Sequence, residues 1–204
     1  MTSIQSLTLE VADPTASADF FRTAFGLDGR LGARATDAET AGFRGFTLSL
    51  VVPQPGAVDS LVGTALDAGG TALKPVAKSF WGYGGVVRAP DGTIWKVATS
   101  SKKNKGPATR QIDDLVLLLG VEDVKASKRF YVDRGLVVAK SFGSKYVEFA
   151  APAGHVKLAL YGRRALAKDA GVNPEGSGSH RIVIGSDDGS FTDPDGFAWE
   201  SAPA

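Results

Sequence analysis

The sequence predicts an α+β protein in which one strand–helix–strands plan is written twice. Two observations carry this. The octapeptides APDGTIWK (residues 89–96) and DPDGFAWE (residues 193–200) are nearly the same, and each closes a half of the chain whose opening also recurs. Self-similarity of this kind marks repeated units before any single element is assigned.

The openings read as matched strands and helices. IQSLTLEVAD (4–13) alternates apolar and polar residues and closes on Asp13; IDDLVLLLGVED (112–123) closes on Asp123. Helix-like stretches follow, PTASADFFRTAFGL and VKASKRFYVDRGL, with Phe20-Phe21 and Phe130-Tyr131 at corresponding places. Gly26 and Gly135 end them, because glycine accepts the positive φ that stops a helix. The middle of the second copy, LVVAKSFGSKYVEFA, bends at Gly143, and the turn APAG leads into HVKLALYG. The first copy is compressed there into ARATDAETAGFRGF before the strand FTLSLVV. It then has the helix AVDSLVGTALDAGG, with Val58, Leu61, Val62, Ala65 and Leu66 on one face.

The offset between copies falls from 110 (Asp13 to Asp123) to 104 (Asp91 to Asp195), so the second copy is shorter between those anchors. Its segment IVIGSDDGSFTDPDG leaves no room for a helix, and the second domain is expected to lack one. The polar, basic, Gly-Pro-broken segment SKKNKGPATR reads as a linker at 101–110 between domains at 1–100 and 111–204.

In each octapeptide Pro-Asp-Gly supplies a tight turn and the residues after it alternate across a strand. Trp95 and Val97 then share one face, Ile94 and Lys96 the other. Phe197 and Trp199 likewise oppose Ala198 and Glu200. Lys96 and Glu200 are thus equivalent positions of opposite charge.

Composition narrows the function. The chain has 204 residues, 23 Lys+Arg against 22 Asp+Glu, a net charge of +1 and 43% hydrophobic residues. Such a balance gives no electrostatic case for nucleic acid or for an acidic membrane surface. Without cysteine there is no disulfide, thiolate metal site or cysteine nucleophile. MTSIQSLTLEV does not read as a signal peptide and no apolar run approaches a membrane span, so a cytoplasmic protein is expected. GYGG (82–85) lacks the Lys-Ser/Thr of a phosphate loop, and GSGSH (176–180) is expected to be a loop. The aspartates at 187, 188, 193 and 195 have the spacing of turn formers, not of a calcium loop.

SFWGYGGVVRAPDGTIWKVA and FTDPDGFAWE resemble the vicinal oxygen chelate superfamily, the glyoxalase, bleomycin-resistance and extradiol-dioxygenase group. The resemblance spans nearly the whole chain as two tandem glyoxalase-like domains. It implies βαβββ modules whose curved mixed sheets form cups, with metal ligands on the cup faces of four strands in the metal-dependent members.

Carried over position by position, the resemblance places the last family carboxylate at Glu200, with Lys96 in its place in the first domain. The other implied positions fall on Ser6, Val116, about Thr47, Ala159 and His180. Only Glu200 and His180 are metal-ligand types, short of the about three protein ligands a catalytic site needs. No cofactor is therefore expected, a divalent metal held by Glu200 and His180 being the alternative. The aromatic, glycine-flexed loop bearing Phe80, Trp81 and Tyr83 borders the cup in similar proteins. With Lys96 and Glu200 it forms the expected ligand site for a small aromatic or drug-like molecule. The competing readings are a metal-dependent lyase, isomerase or dioxygenase, and a protein whose cups are filled by its own side chains. A homodimer is compatible with all three.

Overall fold

In the computed structural model, which describes residues 2–27, 29 and 31–202, the elements follow the predicted order with two additions. The first half runs β1 (Ile4–Val11), α1 (Pro14–Phe25), β2 (Gly32–Ala35), β3 (Thr40–Gly42), β4 (Phe46–Val51), α2 (Pro55–Asp67), β5 (Thr71–Ser79), β6 (Gly82–Arg88) and β7 (Ile94–Thr99). The second half runs β8 (Asp114–Val121), α3 (Val124–Asp133), β9 (Val138–Ser141), β10 (Tyr146–Phe149), β11 (Lys157–Gly162), α4 (Arg163–Ala170), β12 (Gly176–Gly178), β13 (Ile182–Ser186), β14 (Phe191–Thr192) and β15 (Ala198–Ser201).

The aspartates that close β1 and β8 act as helix N-caps. Asp13 accepts from the Ala16 amide at 3.0 Å, and Asp123 from the Lys125 and Ala126 amides at 2.8 and 3.2 Å. Such caps satisfy the free amides of a first turn. Gly26 ends α1 with φ of 69°, as expected of a glycine stop. Ala57, Val58, Leu61, Val62 and Ala65 form the buried face of α2, whereas Leu66, read from sequence as part of it, is 39% exposed. No helix follows β13, so the missing helix of the second half is absent among the described residues. The two additions are α4 and the two-stranded pair of β3 with β12, which occupies the GSGSH segment read as a loop.

The strand pairing joins the halves. One sheet has the order β14-β15-β13-β1-β2, the other β5-β6-β7-β4-β8-β11-β10-β9. Each contains strands from both halves, β1 pairing with β13 and β4 with β8. Residues 101–110 connect β7 to β8 within a single sheet, and Gln54 and Asn104 bind this segment to the start of α2.

The main apolar core lies between the inner faces of both sheets and α1, α2 and α3. Trp95 and Trp199 are both buried in it, Trp95 against Phe21 and Phe25, Trp199 against Tyr131 and Phe191. The equivalent tryptophans therefore anchor the last strand of each half, which is why the octapeptide is kept. Burial of two indoles contributes on the order of several kcal/mol.

A second, smaller cluster sits on the opposite face of the eight-stranded sheet. There Leu166, Ala167 and Ala170 of α4 pack on Val86, Ile94, Phe43 and Leu118. Helix α4 thus covers the face opposite Trp95, the face that corresponds to a cup.

Candidate functional site

The outward face of the five-stranded sheet carries Glu200. Strand register aligns Ser6 with Gly185 and Gly185 with Glu200, while Glu10 lies beside Arg34. Arg34 reaches across this face. Its Nη2 donates to Glu10 at 2.7 Å and its Nη1 to Glu200 at 3.2 Å. Hydrogen bonding to Glu10 first, and then to Glu200, holds the Arg34 guanidinium above its usual pKa, against the opposing effect of burial. The position implied for a metal-binding carboxylate is engaged by a resident cation.

His180, the other metal candidate, precedes β13. Its Nδ1 lies 2.6 Å from the Arg44 carbonyl oxygen and its Nε2 3.1 Å from that of Asp195, with the ring stacked on Phe197 at 4.0 Å. Both nitrogens face carbonyl oxygens. Glu200 pairs with Gly185 inside β13, whereas His180 lies before that strand, against Phe197 and the turn at Asp195. Among the described residues no three His, Cys, Asp or Glu side chains converge as a metal site would require. These donors do not fit a divalent metal.

On the eight-stranded sheet, register sets Lys96 beside Ser49 and Val86, and Ser49 beside Val116. Lys96 Nζ donates to Asp169 of α4 at 2.6 Å, the side chains being 33% and 40% exposed. The inverted charge of the repeated octapeptide has an explanation in each copy. Lys96 meets a carboxylate from α4, and Glu200 meets the guanidinium of Arg34.

Next to the Lys96–Asp169 pair, the cup face opens into a cleft of about 260 Å³. Gly84, Val86, Lys96 and Ala98 line it, together with Lys74 of β5, Asp169, and Trp81 at the turn between β5 and β6. Lys74 Nζ donates to the Lys168 carbonyl oxygen at 2.6 Å, tying the edge hairpin to α4. The glycines have a packing reason. A Cβ at Gly84 would lie 2.8 Å from the Val97 carbonyl oxygen, and one at Gly85 2.9 Å from the Val76 side chain.

The five predicted ligand residues do not share one place. Trp81 and Lys96 line the cleft, and Tyr83 contributes to it only along β6. Its side chain packs toward the main core, and its hydroxyl donates to Asp59 of α2 at 2.8 Å. Alternation along β6 puts Tyr83 with Val87 on the core side. Phe80 stands 81% exposed at the turn, edge-on to Trp81 at 4.9 Å. Glu200 lies on the other sheet. Sequence reading missed Arg34, Lys74 and Asp169, whose roles depend on pairings that no local spacing encodes.

A larger cavity of about 720 Å³ lies between the start of α1 and the turn at 89–91, with Phe20, Pro90 and Arg181 in its wall. Its carboxylates already serve the fold. Asp13 caps α1, Asp19 pairs with Arg22, and Asp91 accepts from the Thr93 amide.

No protein-family model matches the chain, and no curated protein matches it. Among solved structures, glyoxalase I from Zea mays superposes with a TM-score of 0.64 at 13% identity, over 98% of this chain and 91% of that one. A putative dioxygenase from Bacillus subtilis superposes with a TM-score of 0.53 at 14% identity, over 90% of this chain and 69% of that one. Likeness at these identities concerns the fold, and it extends over both halves of the chain. The chain has the glyoxalase fold.

Proposed function

We propose that the protein binds a small aromatic or drug-like molecule without a metal, in the cleft between the β5–β6 hairpin, Lys96 and α4. The observation that carries this reading is the cleft itself, which opens on the cup face with Trp81 at its rim. A planar ligand would stack on Trp81, and the Lys96–Asp169 pair offers one charged donor and one charged acceptor to orient it. A volume of 260 Å³ suits a compact ligand, slightly below the usual range for drug-sized sites. Helix α4 limits the cup to this remnant.

The test uses Trp81 as its own reporter. Trp95 and Trp199 are buried, so aromatic ligands that enter the cleft should quench Trp81 alone. Quenching should disappear in Trp81→Phe. Calorimetric binding should survive in that variant and be lost in Ala98→Phe, which fills the cleft floor. Binding that is indifferent to Ala98→Phe would overturn the assignment.

The metal question has a separate readout. Protein incubated with zinc, nickel, manganese or ferrous iron is expected to retain no stoichiometric metal by elemental analysis, and Glu200→Ala to behave identically. A stoichiometric metal lost in Glu200→Ala would restore the lyase, isomerase or dioxygenase reading.

A further inference from the structure

Away from the cleft, the loop before β4, the end of β6, the turn at 90–93 and strand β3 converge on a groove of about 340 Å³. Thr40, Arg44, Arg88 and Thr93 line it, with Glu175 as the carboxylate on its wall. Folded proteins leave few buried polar atoms unpaired, and a local concentration of them calls for an explanation. Seven buried side-chain polar atoms lack a hydrogen-bond partner among the described residues; three belong to residues that line this groove, and two more to Asp91 and Arg181, which line the neighbouring larger cavity. Four of the five can donate: Thr40 Oγ1, Arg44 Nη1, Thr93 Oγ1 and, behind the groove, Arg181 Nε. The fifth is Asp91 Oδ2.

The surplus is of positive charge as well as of donors. Arg44 has one engaged nitrogen, Nη2, which donates to the Asp91 carbonyl oxygen at 2.7 Å. Burial above all lowers its pKa; Asp91 opposes this, while the neighbouring Arg181 and Arg88 push further down. Asp91 is thus a resident anion beside Arg44, but it does not offset burial together with the repulsion of two neighbouring guanidinium groups, and a further anion in the groove would. Arg181 is also the one described non-glycine residue at positive φ, 57°, a strained backbone of the kind that gathers at functional positions.

We propose that this groove binds a phosphate group, as the free ion or as part of a small phosphorylated molecule, between Arg44 and Arg88 with the Thr40 and Thr93 hydroxyls. Guanidinium groups match the oxygens of a phosphate in fork geometry, and a tetrahedral oxyanion has more acceptor oxygens than a carboxylate to satisfy several donors together. Arg88 is exposed at the mouth of the groove, so the anion enters from solvent and meets Arg88 first. The site is separate from the aromatic cleft and does not depend on it.

The test is titration with inorganic phosphate at constant ionic strength, adjusted with chloride, read by calorimetry and by the thermal midpoint. Phosphate is expected to bind at a single site with millimolar or tighter affinity and to raise the midpoint by several degrees. Arg44→Met should abolish both effects. Arg88→Gln and Thr93→Val, which keep Arg44 in place and serve if Arg44→Met does not fold, should each weaken binding at least severalfold. A midpoint rise of the same size in these variants would mean a general salt effect and overturn the proposal. So would the absence of calorimetric binding. A phosphomonoester that binds more tightly than free phosphate identifies the molecular source, whereas acetate binding as tightly as phosphate would overturn the assignment to phosphate.

Discussion

Replacing Asp193 by alanine is expected to lower stability by about 3–5 kcal/mol, because two buried donors and one part-buried donor lose their acceptor and each unmet buried donor costs about 1–3 kcal/mol. Asp193 Oδ2 accepts from the buried Tyr131 hydroxyl, while Oδ1 accepts from the Asp195 and Phe197 amides at 3.0 and 2.8 Å. The repeat supplies a control. The positions of Tyr131 and Asp193 are held in the first copy by Phe21 and Ala89, both buried, so a polar pair in one copy is an apolar pair in the other. Tyr131→Phe combined with Asp193→Ala should therefore be about 1–2 kcal/mol more stable than Asp193→Ala alone, since the orphaned phenol goes with its partner. Denaturant titration of the three variants measures this coupling. Additive losses would mean that the two side chains do not act as a pair.

The same pair sets a pH dependence. Burial raises the Asp193 pKa above the ordinary carboxylate range, outweighing the hydrogen bonds that oppose it. A carboxyl that holds its proton more tightly in the native state loses stability as pH climbs from the ordinary range to the native value. Burial first, and then Asp193, also keeps the Tyr131 phenol neutral, so a second decline is expected above the ordinary phenol range, near pH 10. Tyr131→Phe should remove the alkaline decline attributable to this group.

How much of this was legible depends on the distance over which each interaction acts. The stop at Gly26 and the facing of Trp95 and Trp199 follow from residues within a few positions of one another and are legible in the sequence; the capping by Asp13 and Asp123 is equally local, although the sequence pattern marks these residues only as strand ends. Alternation along GYGGVVR also carried the information that Tyr83 shares a face with Val87 and not with the cup. What could not be read was which strands pair. Two similar halves fit two separate sheets as well as two shared ones, and local pattern is blind to the difference. For that reason Arg34 could not be assigned to Glu200, 166 positions away, nor Asp169 to Lys96, 73 positions away. The charge inversion was visible from the start; its partners became visible only in the fold.

Helix α4 is the clearest case of tertiary context overriding local preference. RRALAKDA is eight residues long, has no side-chain N-cap, and begins with two arginines at the end of the helix where the dipole disfavours cations. Alone it would not persist. Its order comes from Leu166, Ala167 and Ala170 on the cup face, from Arg163, which donates to the Phe43 and Pro174 carbonyl oxygens at 2.7 and 3.0 Å, and from the Lys96–Asp169 pair. Because this cluster is separate from the main core, Leu166→Ala should weaken the docking of α4 by about 2–4 kcal/mol while leaving the main core packed. Hydrogen exchange would show this as faster exchange across residues 163–171, with the amides around Trp95 and Trp199 unchanged. The loosened cup should also admit larger aromatic ligands than the native cleft does. Faster exchange spread evenly through both sheets would mean that α4 belongs to the main cooperative unit. In that event the cup is closed by the core itself, and the small cleft at Trp81 is not the remnant of a larger site that α4 has filled.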